Sequence, residues 1–106
     1  MLVVKQVDAA NQNELAYECY EGAQMVGRLT AWIRPDRTLE ARLSNISIRE
    51  AGRTLMHKLE RDASAYDLPG LYLQSADEKE RDQFLSNGYE PVTPDTLLLY
   101  KPLKNS

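Results

Sequence analysis

The stretch from Leu39 to Ala63 sets the tightest limit on what this chain can fold into. Leu39, Ala41 and Leu43 alternate on odd positions, yet the apolar set resumes on the even positions Ile46 and Ile48. A strand repeats every two residues, so a slip of parity without a break implies one extra residue at Ser44-Asn45. Such a β-bulge keeps both apolar sets on one side and bends the strand away from its next neighbour. The other reading ends the strand near Ser44 and gives Ile46 to the following element. From Glu50 the period turns helical: Ala51, Leu55, Leu59, Ala63 and Tyr66 recur on one stripe, which Met56 widens.

Upstream, Leu2 to Val7 reads as a short strand, followed by the polar connection Asp8 to Asn13. Leu15, Tyr17 and Cys19 alternate with Ala16, Glu18 and Tyr20, and Glu21-Gly22-Ala23-Gln24 puts glycine where a type II′ hairpin turn needs positive φ. Met25 to Ile33 forms the next strand, with Met25, Leu29, Ala31 and Ile33 expected on one face, and Arg34-Pro35-Asp36-Arg37 turns the chain. Downstream, Asp67-Leu68-Pro69-Gly70 ends the first helix and Leu71 to Leu73 is a short buried strand. Ser75-Ala76-Asp77-Glu78 reads as a capping box for a second helix running to Asn87 and stopped by Gly88. Tyr89 to Val92 and Leu97 to Tyr100 close the chain as strands around Thr93-Pro94-Asp95. The order β, three-strand meander, α, β, α, β, β makes an α+β fold with a mixed, mainly antiparallel sheet, a bulged central strand and two main helices.

At 106 residues the chain is read as a single domain over 1–106, and 42% hydrophobic residues supply a core and exclude disorder. No apolar run is long enough to span a membrane, and MLVVK is too short for a signal peptide, so a soluble cytoplasmic protein is expected. One cysteine, Cys19, excludes a disulfide framework, and one histidine, His57, excludes the usual zinc clusters, so no metal site is expected. The net charge of −3 disfavours nucleic-acid binding as the main activity, yet the charge is unevenly placed. Arg28 to Arg61 holds eight basic residues and four acidic ones; Asp62 to Asp95 holds eight acidic and two basic. Solvated faces explain this asymmetry, as does a positive surface matched to an anionic ligand.

ISIREAGRTLMHKLERDA, residues 46–63, resembles the bulged strand and cofactor helix of the GNAT acetyltransferase superfamily, and FLSNGY, residues 84–89, resembles the end of that family's second helix. GYEPVTPDTLLLYKPL is similar to its closing hairpin. The resemblance covers about residues 14–103 and lacks the two helices the family has after its first strand. It implies a splay between the bulged strand and the next parallel one that receives pantetheine, and a helix N-terminus that offers N–H groups to the pyrophosphate of acetyl-CoA. Carried onto this chain, the cofactor-binding residues are Ile46, Ile48, Arg49, Gly52, Arg53 and Thr54.

The departures decide the expected function. Either Arg49-x-x-Gly52-x-Thr54 matches the family's phosphate loop, which puts polar His57 and Lys58 where the family turns apolar residues inward, or the helix starts at Gly52 and only Arg49-Glu50-Ala51 is left for the loop. Glu50 opposes a pyrophosphate, and Ser47-x-x-Glu50 can form a capping box that fills the free amides itself. Leu85 stands where the family often carries a tyrosine that protonates the leaving thiolate. Glu40 is the one candidate base. Cys19 reads as core, His57 as exposed, and Trp32 as either packed under a helix or part of a partner surface. Leu55, Leu59 and Phe84 should be buried, with Arg53, His57, Lys58 and Glu80 exposed. The preferred reading is a degenerate member that binds a protein partner, with acetyl-CoA bound weakly or not at all. The alternative is an active acetyl-CoA-dependent N-acetyltransferase acting on an amine of a protein or small molecule. A homodimer is left open; no membrane contact is expected.

Overall fold

Strand pairing begins at the N-terminus, in a computed structural model that describes residues 1–103. β1 (Leu2–Val7), β2 (Glu14–Glu21), β3 (Gln24–Ile33) and β4 (Leu39–Ser44) form an antiparallel meander. α1 (Arg49–Ala65) crosses to β5 (Gly70–Gln74), which lies parallel to β4. α2 (Glu78–Leu85) then leads to β6 (Glu90–Pro91) and β7 (Leu98–Pro102), giving one seven-stranded sheet in the order β1-β2-β3-β4-β5-β7-β6. This is the mixed α+β architecture expected, with one parallel contact where a helix makes the crossover.

The expected irregularity sits at the end of β4. Arg28 pairs with Ser44, and the next bond across this pair of strands joins the Ser47 N–H to the Val26 carbonyl at 2.9 Å. Two steps along β3 therefore match three along the outgoing chain, and the extra step falls at Asn45, whose φ is +55°. Regular strand stops at Ser44, as the second reading held, while the inserted residue does what the first required: Leu43 and Ile46 both reach the side of the sheet that α1 covers.

A second bulge went unforeseen. Cys19 faces Gly27 but Tyr20 faces Met25, which leaves Val26 as the extra residue in β3. Val26 therefore turns into the core and Met25, expected inside, is 36% exposed. Ile33, also expected inside, is half-exposed at the strand end.

The core lies between the sheet and the two helices. Ala51, Leu55, Met56, Leu59 and Ala63 of α1 are buried, as their spacing predicted, against Leu29, Ala31, Ala41 and Leu73 of the sheet. Tyr66 is 71% exposed because the chain reverses through Asp67 at φ +57°, and the buried Leu68 occupies the core in its place. α1 lies so close to β3 that a Cβ on Gly27 would stand 3.1 Å from that of Ala51. Tyr17 reaches from β2 to donate its hydroxyl to Asp62 at 2.6 Å, and Tyr89 donates to Glu60 at 2.7 Å. Burial and these carboxylates push both phenols well above the usual tyrosine range. Among the described residues no helix covers the other face of the sheet, where Trp32 lies half-buried with the Arg42 guanidinium 5.5 Å from its ring centre.

Candidate functional site

β4 and β5 stay paired only from Leu39–Leu71 to Arg42–Gln74. Beyond that point the chain after β4 bends towards β3 through Asn45, while Ser75 turns the other way and donates its N–H to the Leu97 carbonyl at 2.9 Å. Two strands that part this way must leave a wedge between them. A cleft of about 690 Å³ opens there, with Ile46, Ser47, Ile48 and Arg49 on one wall and Lys79, Glu80, Asp82 and Gln83 of α2 on the other. A smaller depression of about 280 Å³ adjoins it and is lined by Arg49, Glu50, Arg53, Gln83, Ser86 and Asn87. The Gln83 amide donates to the Arg49 carbonyl at 3.3 Å and ties the two walls together.

The first turn of α1 faces this cleft without a side-chain cap. Ile48 is the capping residue and makes no side-chain bond; the Ser47 hydroxyl donates to the Val26 carbonyl at 3.3 Å instead. The capping box expected at Ser47 and Glu50 therefore does not form, because the bulge aims Ser47 at β3. The uncapped first-turn N–H groups carry the positive end of the helix dipole and suit an anion. α2 is capped differently from expectation: Asp77, not Ser75, accepts from the Glu80 N–H at 2.9 Å, and Glu80 returns a bond from the Ala76 N–H at 3.1 Å. This draws Glu80, expected to be exposed, into partial burial, and desolvation holds its carboxyl above the usual range against the Ala76 bond, with Asp77 adding to the rise.

Of the six residues carried over from the resemblance, Ile46, Ile48 and Arg49 line the large cleft and Arg53 the adjoining depression. Gly52 faces inward, where a Cβ would meet Leu43 at 3.3 Å and Phe84 at 3.9 Å. Thr54 donates its hydroxyl to the Glu50 carbonyl and lines a separate depression with Val4, His57, Lys58 and Arg61. Ser47, Lys79, Glu80, Asp82 and Gln83 were not foreseen at the cleft. Their signal lies in the splay itself, which sets the start of α2 opposite the start of α1.

Glu40 sits near the start of β4 within 3.8 Å of Arg34, while the cleft begins at Ile46, six residues on and roughly 20 Å along an extended chain. Leu85 is 38% exposed at the end of α2 and has no proton to give, and the Tyr89 hydroxyl is held by Glu60. Cys19 is fully buried, and burial, with Glu21 adding, raises its thiol, the opposite of an activated nucleophile. Arg53 and His57 are exposed as expected; Lys58 is half-buried against Asp62 at 3.2 Å. No group of three metal-ligating side chains exists among the described residues.

Neither a family model nor a curated protein sequence matches this chain. Solved structures do. The ribosomal-protein-S18-alanine N-acetyltransferase of Escherichia coli superposes with a TM-score of 0.74 over 100% of this chain and 96% of its own, at 14% identity. A GNAT-family acetyltransferase of Staphylococcus aureus gives 0.65 over 87% and 69%, also at 14% identity. A mutant of the toxin AtaT, bound to the C-terminus of the antitoxin AtaR and acetyl-CoA, gives 0.69 over 96% and 93%, at 16% identity.

Proposed function

We propose that this chain, which has the GNAT acetyltransferase fold, is a degenerate member that works by binding a protein partner rather than by acetyl transfer. The observation that carries the reading is the α2 wall of the cleft. Beside Lys79 it presents Glu80 and Asp82, the latter paired with Arg81 at 3.3 Å, where a polyanionic cofactor would lie, and Leu85 offers no proton to a departing thiolate. Glu50, in the first turn of α1, sets a third carboxylate against a pyrophosphate. That AtaT is seen with a segment of AtaR supports a protein partner for a chain of this fold. We place its work in the cytoplasm, a reading supported by the unpaired Cys19 and by the lack of a described helix long and apolar enough to cross a membrane.

One observation favours the second reading, an active acetyl-CoA-dependent N-acetyltransferase: the first turn of α1 is uncapped and Arg49 stands beside it. The two readings part in a thermal melt with acetyl-CoA. A ligand at a hundredfold excess over its dissociation constant stabilises the native state by about 2.7 kcal/mol, which for a domain of this size moves the melting temperature by roughly 10 °C. The degenerate reading expects almost no shift at millimolar acetyl-CoA. A clear shift that weakens with salt and is lost in Arg49→Ala establishes the transferase reading instead.

A further inference from the structure

The outward face of α1 carries Arg53, His57 and Arg61 at successive steps of four, so their side chains lie near one another along about 12 Å of helix. All three are exposed, and among the described residues neither Arg53 nor Arg61 has a carboxylate within ion-pair distance. The acids that should balance them on the same helix are turned away: Asp62 holds Tyr17 and Lys58, and Glu60 holds Tyr89 and Lys101. Two of the three carboxylates of α1 are thus engaged while Arg53, His57 and Arg61 face solvent; the third, Glu50, lies exposed in the first turn and lines the depression beside Arg53. Beside them a depression of about 390 Å³ opens towards β1, lined by Val4, Thr54, His57, Lys58 and Arg61.

We infer that this face docks an acidic segment of a partner protein, its carboxylates against Arg53, His57 and Arg61 and one apolar side chain on Val4. The inference rests on the protein-binding reading above and names its surface. Charge complementarity selects the occupant. A nucleic-acid backbone carries a charge every few ångströms and continues past the patch, and at the start of α1 it would meet Glu50 and, beyond it, the acids of α2. A short acidic segment ends where the cations end. The outward face of α1 carries one ring, the His57 imidazole, and no Phe, Tyr or Trp of the helix on which successive bases could stack.

The test measures anisotropy of a fluorescein-labelled oligoglutamate peptide, and of single-stranded and duplex oligonucleotides, against the full chain at low and at physiological salt. The peptide should bind, weaken with salt, and lose about tenfold in affinity in the double variant R53E/R61E, since two attractive charge contacts become repulsive. R53Q/R61Q, which only removes charge, should lose less than the reversal does; circular dichroism confirms that both variants fold. Failure of the peptide to bind, or equal binding by the double variant, overturns the inference. Tighter binding of an oligonucleotide that is lost in R53E/R61E overturns it in favour of a nucleic-acid surface. Acetyl-CoA melts run in parallel separate the two claims, because a melting shift with intact peptide binding sinks only the degenerate reading.

Discussion

Gly27→Ala tests whether α1 is held as tightly against β3 as the geometry requires. The added Cβ would stand 2.8 Å from Ile46 Cδ1, 3.1 Å from Ala51 Cβ and 3.2 Å from Leu55 Cδ1. Carbon atoms pack best at about 3.5–4.0 Å, so all three contacts are repulsive. The ends of Ile46 and Leu55 can rotate aside. Ala51 cannot, since its Cβ is fixed by the helix backbone, and α1 must lift by a few tenths of an ångström. Overpacking of this kind costs about 1–3 kcal/mol. Loss of glycine freedom in the unfolded chain offsets about 0.4–1 kcal/mol, leaving a net loss near 1 kcal/mol and a melting temperature lower by roughly 3–8 °C. Gly52→Ala is the internal comparison: it sits within α1, its nearest neighbour is the flexible end of Leu43 at 3.3 Å, and alanine gains about 1 kcal/mol of helix propensity. That variant should be neutral or more stable. Denaturant melts of both read the sign, and a stabilised Gly27→Ala would refute the close approach of α1 to the sheet.

Leu59→Ala, at a fully buried position of α1, should cost about 2–5 kcal/mol through lost transfer energy and the cavity left behind; a loss under about 1 kcal/mol in urea unfolding would mean the inward face of α1 is misassigned. Glu80→Gln should change stability in a pH-dependent way. The folded state holds the Glu80 proton more tightly than the unfolded chain does, so this group's contribution falls as pH rises above its ordinary value, and the variant should gain on the wild type from pH about 4 to pH about 7. Glutamine keeps an oxygen for the Ala76 N–H, so the opposite trend would show that the carboxylate is not desolvated.

Much of this fold was legible because periodicity survives folding wherever one face is buried. The odd-to-even slip after Leu43 marked the inserted Asn45, and the stripe from Ala51 to Ala63 marked α1. The misses have local causes. Val26 replaced Met25 inside because a bulge opposite Cys19 and Tyr20 shifts parity, and a strand short of the hairpin turn carries no sign of it. Tyr66 lies just past the last residue of α1, Ala65, and directly before the left-handed turn at Asp67, so the helical period ends one step earlier than the spacing suggested. Ser47 and Asp77 show the limit of capping patterns: Ser47 fits the box, but the bulge spends its hydroxyl on Val26. At the cleft, Ile46, Ile48 and Arg49 could be found from the resemblance, whereas Ser47 and the α2 wall depend on the bulge and on where the splay places a second helix, a long-range fact that no local pattern encodes.

The central claim is that the cleft at the splay, with Glu80 and Asp82 beside Lys79 on its α2 wall and Glu50 in the first turn of α1, does not hold acetyl-CoA. Amide chemical shifts of the ¹⁵N-labelled chain, followed while acetyl-CoA is raised to millimolar concentration, test it at the groups concerned. The account predicts that the N–H signals of Ser47 to Gly52 stay in place. Saturable movement of the Arg49 and Glu50 amides, abolished in Arg49→Ala, would contradict it.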